Sequence, residues 1–323
     1  MKTISPAQRG AVEEALRLGL TDLAASILEK DLLITGVLGL LADFDWGDVQ
    51  PVFCGGTSLS KGHGVLERMS EDIDFKLVLP EGWSRSLARR QLSGLRERLV
   101  SYLRQAGFAL PEERITALNE NRYLCFALVY APQFPLAAVL RAELRLDFTV
   151  HAPLLDPESV KVQSLMAAFM PMDEPAITHR AVAMPETLVE KVVSFLRRTA
   201  GWPEQLERNP DDEQLVRHLY DVHQLQTVLP SGTQAPLQLQ PLFNQTVAGD
   251  REKFGRQQPD FGRDPGGWLQ KALDQLQSSG ELEELYERFV GELVWGPPVP
   301  FCAARDCFCG VAEELLAGLK LPP

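Results

Sequence analysis

Two spacings of apolar residues divide this chain. From residue 5 to 45 they recur at helical intervals, with Ala11, Ala15 and Leu16 on one face of a first segment and Leu23, Ala24, Ile27 and Leu28 on one face of a second. Side chains three and four apart share a helix face, so this stretch predicts helices that pack on the segment after residue 50. Between 50 and about 151 the pattern changes. A short apolar run at Val52–Cys54 is of strand type, Asp72 to Phe75 alternates, Ser84 to Gln105 is helical, and Arg122–Ala131 and Val139–His151 are two strands joined across Pro132 and Pro135. A small mixed sheet with helices on it accounts for this order. From 158 onward the spacing predicts helices only: Ser159–Phe169, Glu186–Thr199, Asp212–Thr227, then segments near 235–250, 265–278, 281–293 and 304–319, punctuated by Pro203, Pro210, Pro230, Pro236 and Pro297-Pro298. The expectation is an α+β chain with N-terminal helices and a mixed-sheet core over 1–157, followed by an all-helical region over 158–323.

The polar residues inside the sheet region carry the chemistry. After the run at Val52–Cys54, Gly55-Gly56 can take backbone conformations closed to other residues, and Thr57 or Ser58 can cap a helix that Leu59 begins. Amide hydrogens at such a turn suit a phosphate. A tight turn without a ligand is the alternative for these four residues alone. One helix further on comes Asp72-Ile73-Asp74-Phe75. Side chains two apart on a strand share a face, so Asp72 and Asp74 project together while Ile73 and Phe75 point to the apolar side. Two carboxylates that close repel each other unless a cation neutralises them, and hard oxygen ligands suit Mg²⁺ or Mn²⁺ with phosphate completing the shell. A solvated edge strand is the alternative for a lone Asp-x-Asp; the glycine turn just upstream weighs against it. In 141–150, Ala142, Leu144, Leu146 and Phe148 share one face and Glu143, Arg145, Asp147 and Thr149 the other, which makes Asp147 a candidate third acid. Together these residues predict a site for a nucleoside triphosphate and a divalent metal.

Lys191 lies between Val189 and Val192-Val193 on a predicted helix, and none of the residues three or four away is acidic. The spacing leaves two readings open, a solvated lysine or one whose stem is packed while its ammonium reaches a cleft and a triphosphate. Asp221 flanks the apolar stripe Leu215, Leu219, Val222 and Leu225, either as a surface acid or as a partner for Lys191 or Arg217.

Composition narrows the surroundings. With 323 residues, 45% hydrophobic, the chain can bury a sizeable core in one large or two ordinary domains. The apolar run from Asp31 to Ala42 is short and broken by Gly36 and Gly39, and the first residues lack the charged-then-apolar order of a signal peptide, so a cytoplasmic protein is expected, with no membrane partner. Five scattered cysteines are not a secreted disulfide framework; Cys302, Cys307 and Cys309 cluster, but no histidine follows to complete a zinc site. A net charge of −12 excludes indiscriminate attraction to nucleic acid. Any RNA contact has to be local, with Arg85, Arg89, Arg90, Arg96, Arg98 and Arg104 the first candidates and a solvated helix face the alternative.

The run Gly55-Gly56-Thr57-Ser58-Leu59-Ser60-Lys61, followed by Arg68-Met69-Ser70-Glu71-Asp72-Ile73-Asp74, resembles the abortive-infection AbiEii/AbiGii toxin family, a branch of the nucleotidyltransferases that share the DNA polymerase β fold. Pro185 to Lys191 with Phe195-Leu196-Arg197-Arg198 is similar to that family's helical lysine motif. Arg217 to Val222 is similar to its Arg-Asp-x-x-Asp-Leu motif, with His218 in place of the first aspartate. The resemblance implies transfer of a nucleoside monophosphate from an NTP to an acceptor hydroxyl. It places Gly55, Gly56, Thr57, Ser58, Lys61 and Ser70 at the nucleotide, Asp72, Asp74 and Asp147 at Mg²⁺ or Mn²⁺, Lys191 at the leaving pyrophosphate and Asp221 in support. It also implies tRNA or another RNA as acceptor, growth arrest as outcome and a cognate antitoxin as partner. Modification of a protein or small molecule is the nearest rival. A catalytically inactive nucleotide-binding regulator is another, against which the presence of both acids and the lysine argues.

Overall fold

The structure, a computed structural model, describes residues 1–137, 140–171, 175–202, 214–229, 235–278 and 280–321. The chain divides into two compact units, residues 1–183 and 184–323.

The first unit is built on a seven-stranded sheet in the order β3-β4-β5-β2-β1-β7-β6, formed by β1 (Gln50–Cys54), β2 (Asp72–Val78), β3 (Ile115–Leu118), β4 (Tyr123–Val129), β5 (Glu143–Val150), β6 (Glu158–Val162) and β7 (Ile177–Ala181). β1 lies antiparallel to β2 and parallel to β7, while β2 and β5 run parallel. The alternation seen in the sequence sets the two faces. Ile73, Phe75, Leu146 and Phe148 are wholly buried, and their neighbours Asp72, Asp74 and Asp147 stay partly open. On the apolar face Phe53, Phe75 and Phe148 stand side by side, with ring centroids 5.2 and 5.8 Å apart. Trp46 packs on the last two of these rings. Helix α1 (Pro6–Arg17) starts at Ser5 with a reciprocal cap, in which Gln8 N donates to Ser5 Oγ and Ser5 N to Gln8 Oε1. Helix α2 (Ala25–Asp43) meets the apolar face, where its Leu38 carbonyl accepts from Nε2 of the buried His179 on β7. Helix α3 (Arg85–Gln105) buries Leu92, Leu95, Leu99 and Leu103 and is capped by Ser84.

Two strands correct the sequence expectation. The segment 159–169, expected as one helix, is strand β6 followed by a short helical turn at Met166–Phe169, and β7 pairs antiparallel with β6. The reason is local and visible: Val160 and Val162 are buried while Ser159 and Lys161 are exposed, a period of two that the longer apolar run beyond it masked. The sheet therefore continues past residue 157, and the division of the chain falls at 183/184. β3 is likewise a strand that the sequence pattern did not indicate.

The second unit contains α4 (Met184–Thr199), α5 (Arg217–Val228), α6 (Ala235–Phe254), α7 (Pro265–Ser278), α8 (Glu281–Leu293) and α9 (Phe301–Ala317), with a short turn of helix at Pro259–Arg263. Its core gathers Leu188, Val192, Leu219, Phe243 and the edge-to-face pair Phe195 and Phe308, whose centroids are 4.9 Å apart. The expected helix start at Asp212 and the punctuating Pro203, Pro210 and Pro230 lie outside the described residues.

Candidate active site

The in-register pairing of β2 with β5 places Asp74 opposite Asp147, and Asp72 opposite Arg145. Partners directly opposite project to the same side of a sheet, so Asp72, Asp74 and Asp147 share one face, as their alternation indicated. The row extends on both sides, with Cys54 of β1 beside Asp74 and Cys125 of β4 beside Asp147.

Asp72 and Asp147 each have defined polar neighbours. Arg141 donates to Asp72 Oδ1 at 3.4 Å. Asp147 accepts at both oxygens, from the Tyr123 hydroxyl at 2.5 Å and from Arg145 Nε at 3.0 Å. Loss of water around Asp72 raises its pKa above the ordinary aspartate value; Arg141 opposes this, and the negative charges of Glu71 and Asp147 add to it. Burial and the bond to Asp147 push the Tyr123 phenol well above its usual range, so it stays a donor at any physiological pH.

The glycine turn packs directly on the acids. Gly55 has φ +76°, and a Cβ there would collide with the Asp74 carboxylate; at Gly56 a Cβ would come 2.6 Å from the Arg68 guanidinium and 2.9 Å from Ser70 Oγ. Glycine is required at Gly55 by its backbone conformation, and at Gly56 a larger residue would displace the Arg68 and Ser70 side chains. The helical segment begins at Gly55 rather than Leu59, as an α-turn over Gly55–Thr57 that passes into a wider π-turn over Ser58–Gly62. Thr57 and Ser58 consequently do not cap it: the Thr57 hydroxyl donates to Asp72 O and that of Ser58 to Gly55 O at 2.9 Å, so both tie the turn to the acid strand and to itself. Lys61, expected at the nucleotide, is buried with its ammonium 2.6 Å from Asp31 of α2 and 2.8 Å from Thr35 Oγ1.

In the second unit Lys191 Nζ stands 2.6 Å from Asp221 Oδ2, with the lysine side chain 7% exposed and the aspartate fully buried. Of the two readings left open by the sequence, a solvated surface lysine is thus excluded. Along α3, Arg85 pairs with Glu120 and Arg104 with Glu112, while Arg89, Arg90 and Arg98 are exposed.

Sequence reasoning did not single out Arg68, Arg141, Arg145 or Tyr123. Alternation did put Arg145 on the face of Asp147; the other three reach the site through contacts between strands or loops that no local pattern announces.

The donor set fits a hard divalent cation. Asp72 and Asp74 offer carboxylate oxygens from one strand, and Mg²⁺ commonly takes only one or two protein carboxylates, the rest of its shell being phosphate and water. Among the described residues no three His, Cys, Asp or Glu side chains form a ready-made metal cluster.

A glycine turn packed on an acid pair in a mixed sheet, with a third acid from the neighbouring parallel strand, defines the nucleotidyltransferase class. The sequence model for the family described as nucleotidyl transferase AbiEii toxin, type IV TA system, matches residues 40–306. The chain belongs to this family of nucleotidyltransferase enzymes, toxins of a type IV toxin–antitoxin system. Among solved structures it is similar to MenT4, a nucleotidyltransferase toxin from Mycobacterium tuberculosis H37Rv, at 23% identity and a TM-score of 0.50, over 75% of this chain and 70% of that one; the likeness is one of fold. No curated protein matches the sequence. Among the described residues no helix is long and apolar enough to cross a membrane.

Proposed function

We propose that the acid row is the catalytic centre of a metal-dependent nucleotidyltransferase that moves a nucleoside monophosphate from an NTP to an acceptor hydroxyl. The observation that carries this reading is the register that sets Asp74 against Asp147, with Asp72 on the same face and Gly55 in contact with Asp74. Asp72 and Asp74 hold Mg²⁺ or Mn²⁺, with Asp147 as a third ligand. When bound, the cation polarises the phosphate oxygens and neutralises charge on the triphosphate. Gly55 and Gly56 let the backbone approach the phosphates, and Ser70 stands beside them. Thr57, Ser58 and Lys61 act by fixing the turn. Asp147 receives the proton of the acceptor hydroxyl, while Tyr123 and Arg145 fix the direction of its oxygens. By the family resemblance Lys191 is the candidate to offset charge on a phosphate group, with Asp221 orienting its ammonium.

The family supports an antitoxin partner. For the acceptor we propose tRNA or another RNA, docked through the exposed arginines of α3, because the net charge of −12 requires a local basic surface. Incubation with each α-phosphate-labelled ribonucleoside triphosphate, Mg²⁺ and total cellular RNA tests this. Label entering RNA with wild type, and none with Asp72→Asn, is expected. Equal labelling by the two proteins would refute the acid assignment, and label in protein or small molecules instead would move the acceptor to those classes.

A further inference from the structure

Helix α2 is apolar on nearly every side, yet Glu29, Lys30 and Asp31 lie in its second turn at 1%, 0% and 3% exposure. Each charge is committed to a different segment. Glu29 accepts from the backbone N–H groups of Gln133 and Phe134 at 2.8 and 3.3 Å. Asp31 holds Lys61 and accepts from Leu165 N at 2.6 Å. Lys30 Nζ donates to Glu71 Oε2 at 2.5 Å and to the Arg141 carbonyl at 2.8 Å. Glu71 Oε2 also accepts from Arg141 N at 3.1 Å, so both polar groups of that residue's backbone are gripped by one ion pair.

The grip closes a ring. Glu71 directly precedes Asp72, the first residue of β2; Arg141 lies two residues before Glu143, the first of β5, and its side chain returns to Asp72 Oδ1. Removing two charges from water costs several kcal/mol per ion, and a buried pair commonly does no better for stability than apolar residues of the same volume. Stability therefore gives little reason for Lys30 and Glu71 to be ionic, whereas their directional bonds fix where the two acid-bearing strands begin.

We propose that Lys30 and Glu71 are positioning residues for the acid pair: they set the spacing of β2 and β5 at their first residues and aim Arg141 at Asp72. This rests on the reading of Asp72 as a cation ligand. Neither residue touches the substrate; both act through Arg141 and the backbone of Asp72.

The test is Mn²⁺ binding by calorimetry to the full chain without nucleotide, alongside melting temperature, for wild type, Asp72→Asn, Glu71→Gln and Lys30→Met/Glu71→Gln. The double variant leaves no charge at these two positions and replaces the charge-assisted bonds to Arg141 with weaker ones from a neutral amide, so it is expected to fold while holding Arg141 less firmly. The expected result is loss of Mn²⁺ binding in Asp72→Asn and, in the double variant, about tenfold weaker binding with melting within a few degrees of wild type, because displacing ligands by a fraction of an ångström is costly at a metal site. Glu71→Gln, which leaves the buried Lys30 facing a neutral amide, is expected to melt lower than wild type and to show the same loss of Mn²⁺ affinity, and it serves should the double variant fail to fold. Wild-type affinity in a folded Lys30/Glu71 variant, with binding lost in Asp72→Asn, overturns this inference and leaves the catalytic reading standing. Unchanged binding in Asp72→Asn, or none in wild type, overturns both. Transfer assays sharpen the result: a fall in kcat with the KM for the NTP within about threefold is expected of misplaced ligands.

Discussion

The two faces of the central sheet differ by a single residue along every strand and by everything in chemistry. One carries Cys54, Asp74, Asp147 and Cys125 across β1, β2, β5 and β4; one residue away, the other carries Phe53, Phe75, Phe148 and Leu124 in the same order. The aromatic row buries its rings and pins the register, since a slip by one position would exchange the rows and push carboxylates into the core. The acid row contributes little to holding the fold and is placed by it. Stability and reactivity are thus separated by the pleat.

The largest expected effect comes from the acid face. Asp72→Asn should lower nucleotide transfer by at least about a hundredfold, while its melting temperature stays level or rises, because a carboxylate with a raised pKa is held at a cost in the folded protein. A drop in stability with activity retained would reverse the assignment of the faces. On the aromatic side, Phe75→Ala should cost about 3–5 kcal/mol in denaturant unfolding, and the fraction that remains folded should retain nucleotide affinity.

Lys191 and Asp221 test whether exposure is what divides the two roles. Removing one member of a buried pair strands the other, so Lys191→Ala should destabilise by about 3–5 kcal/mol as well as impair transfer. A melting temperature equal to wild type would show that the pair opens in solution.

The faces should also respond oppositely to pH. His179 lies on the aromatic side, and burial lowers its pKa below the unfolded 6.5. The folded state then resists protonation, and stability is lost as pH falls from about 6.5 toward the folded value; His179→Phe should flatten that acid limb in melting curves. Asp72 is shifted upward from 3.8, so its neutral form favours the folded state at low pH and that contribution is lost as pH rises through the folded pKa. Asp72→Asn should remove that second feature and leave the first intact.

The smallest effect concerns α3. Arg89→Glu with Arg98→Glu should change stability by no more than about 0.5 kcal/mol. If RNA docks there, the acceptor KM should rise and its salt dependence flatten by about one unit of slope for each arginine–phosphate pairing removed, with NTP affinity unaltered. Identical acceptor kinetics across salt concentrations would remove this helix from consideration.

How much could be read in advance depends on how local each feature is. The alternation around Asp72 to Phe75 and in 141–150 carried both faces of β2 and β5, and the helices at 265–278 and 281–293 were legible from apolar spacing and proline punctuation. β6 was missed because two buried valines gave too short a signal beside a helix-like apolar run. The contacts of Arg68, Arg141 and Tyr123 depend on which strands neighbour each other, and no local pattern encodes that. The charges on α2 did leave a trace: three adjacent helix positions sweep about 200° around the axis, so Glu29-Lys30-Asp31, set between Ile27-Leu28 and Leu32-Leu33-Ile34, could not all reach water.

The parallel pairing of β2 with β5 also bears on how such a protein is made. Asp72 and Asp74 leave the ribosome early, but Asp147 and the strand that presents it are still unsynthesised, and β7, the parallel neighbour of β1 on its other side, comes later again. A nascent chain that has passed residue 74 but not 147 carries the glycine turn and the acid pair without their third member. On the proposed reading, the acid row is therefore incomplete until the segment that carries Asp147 has been made.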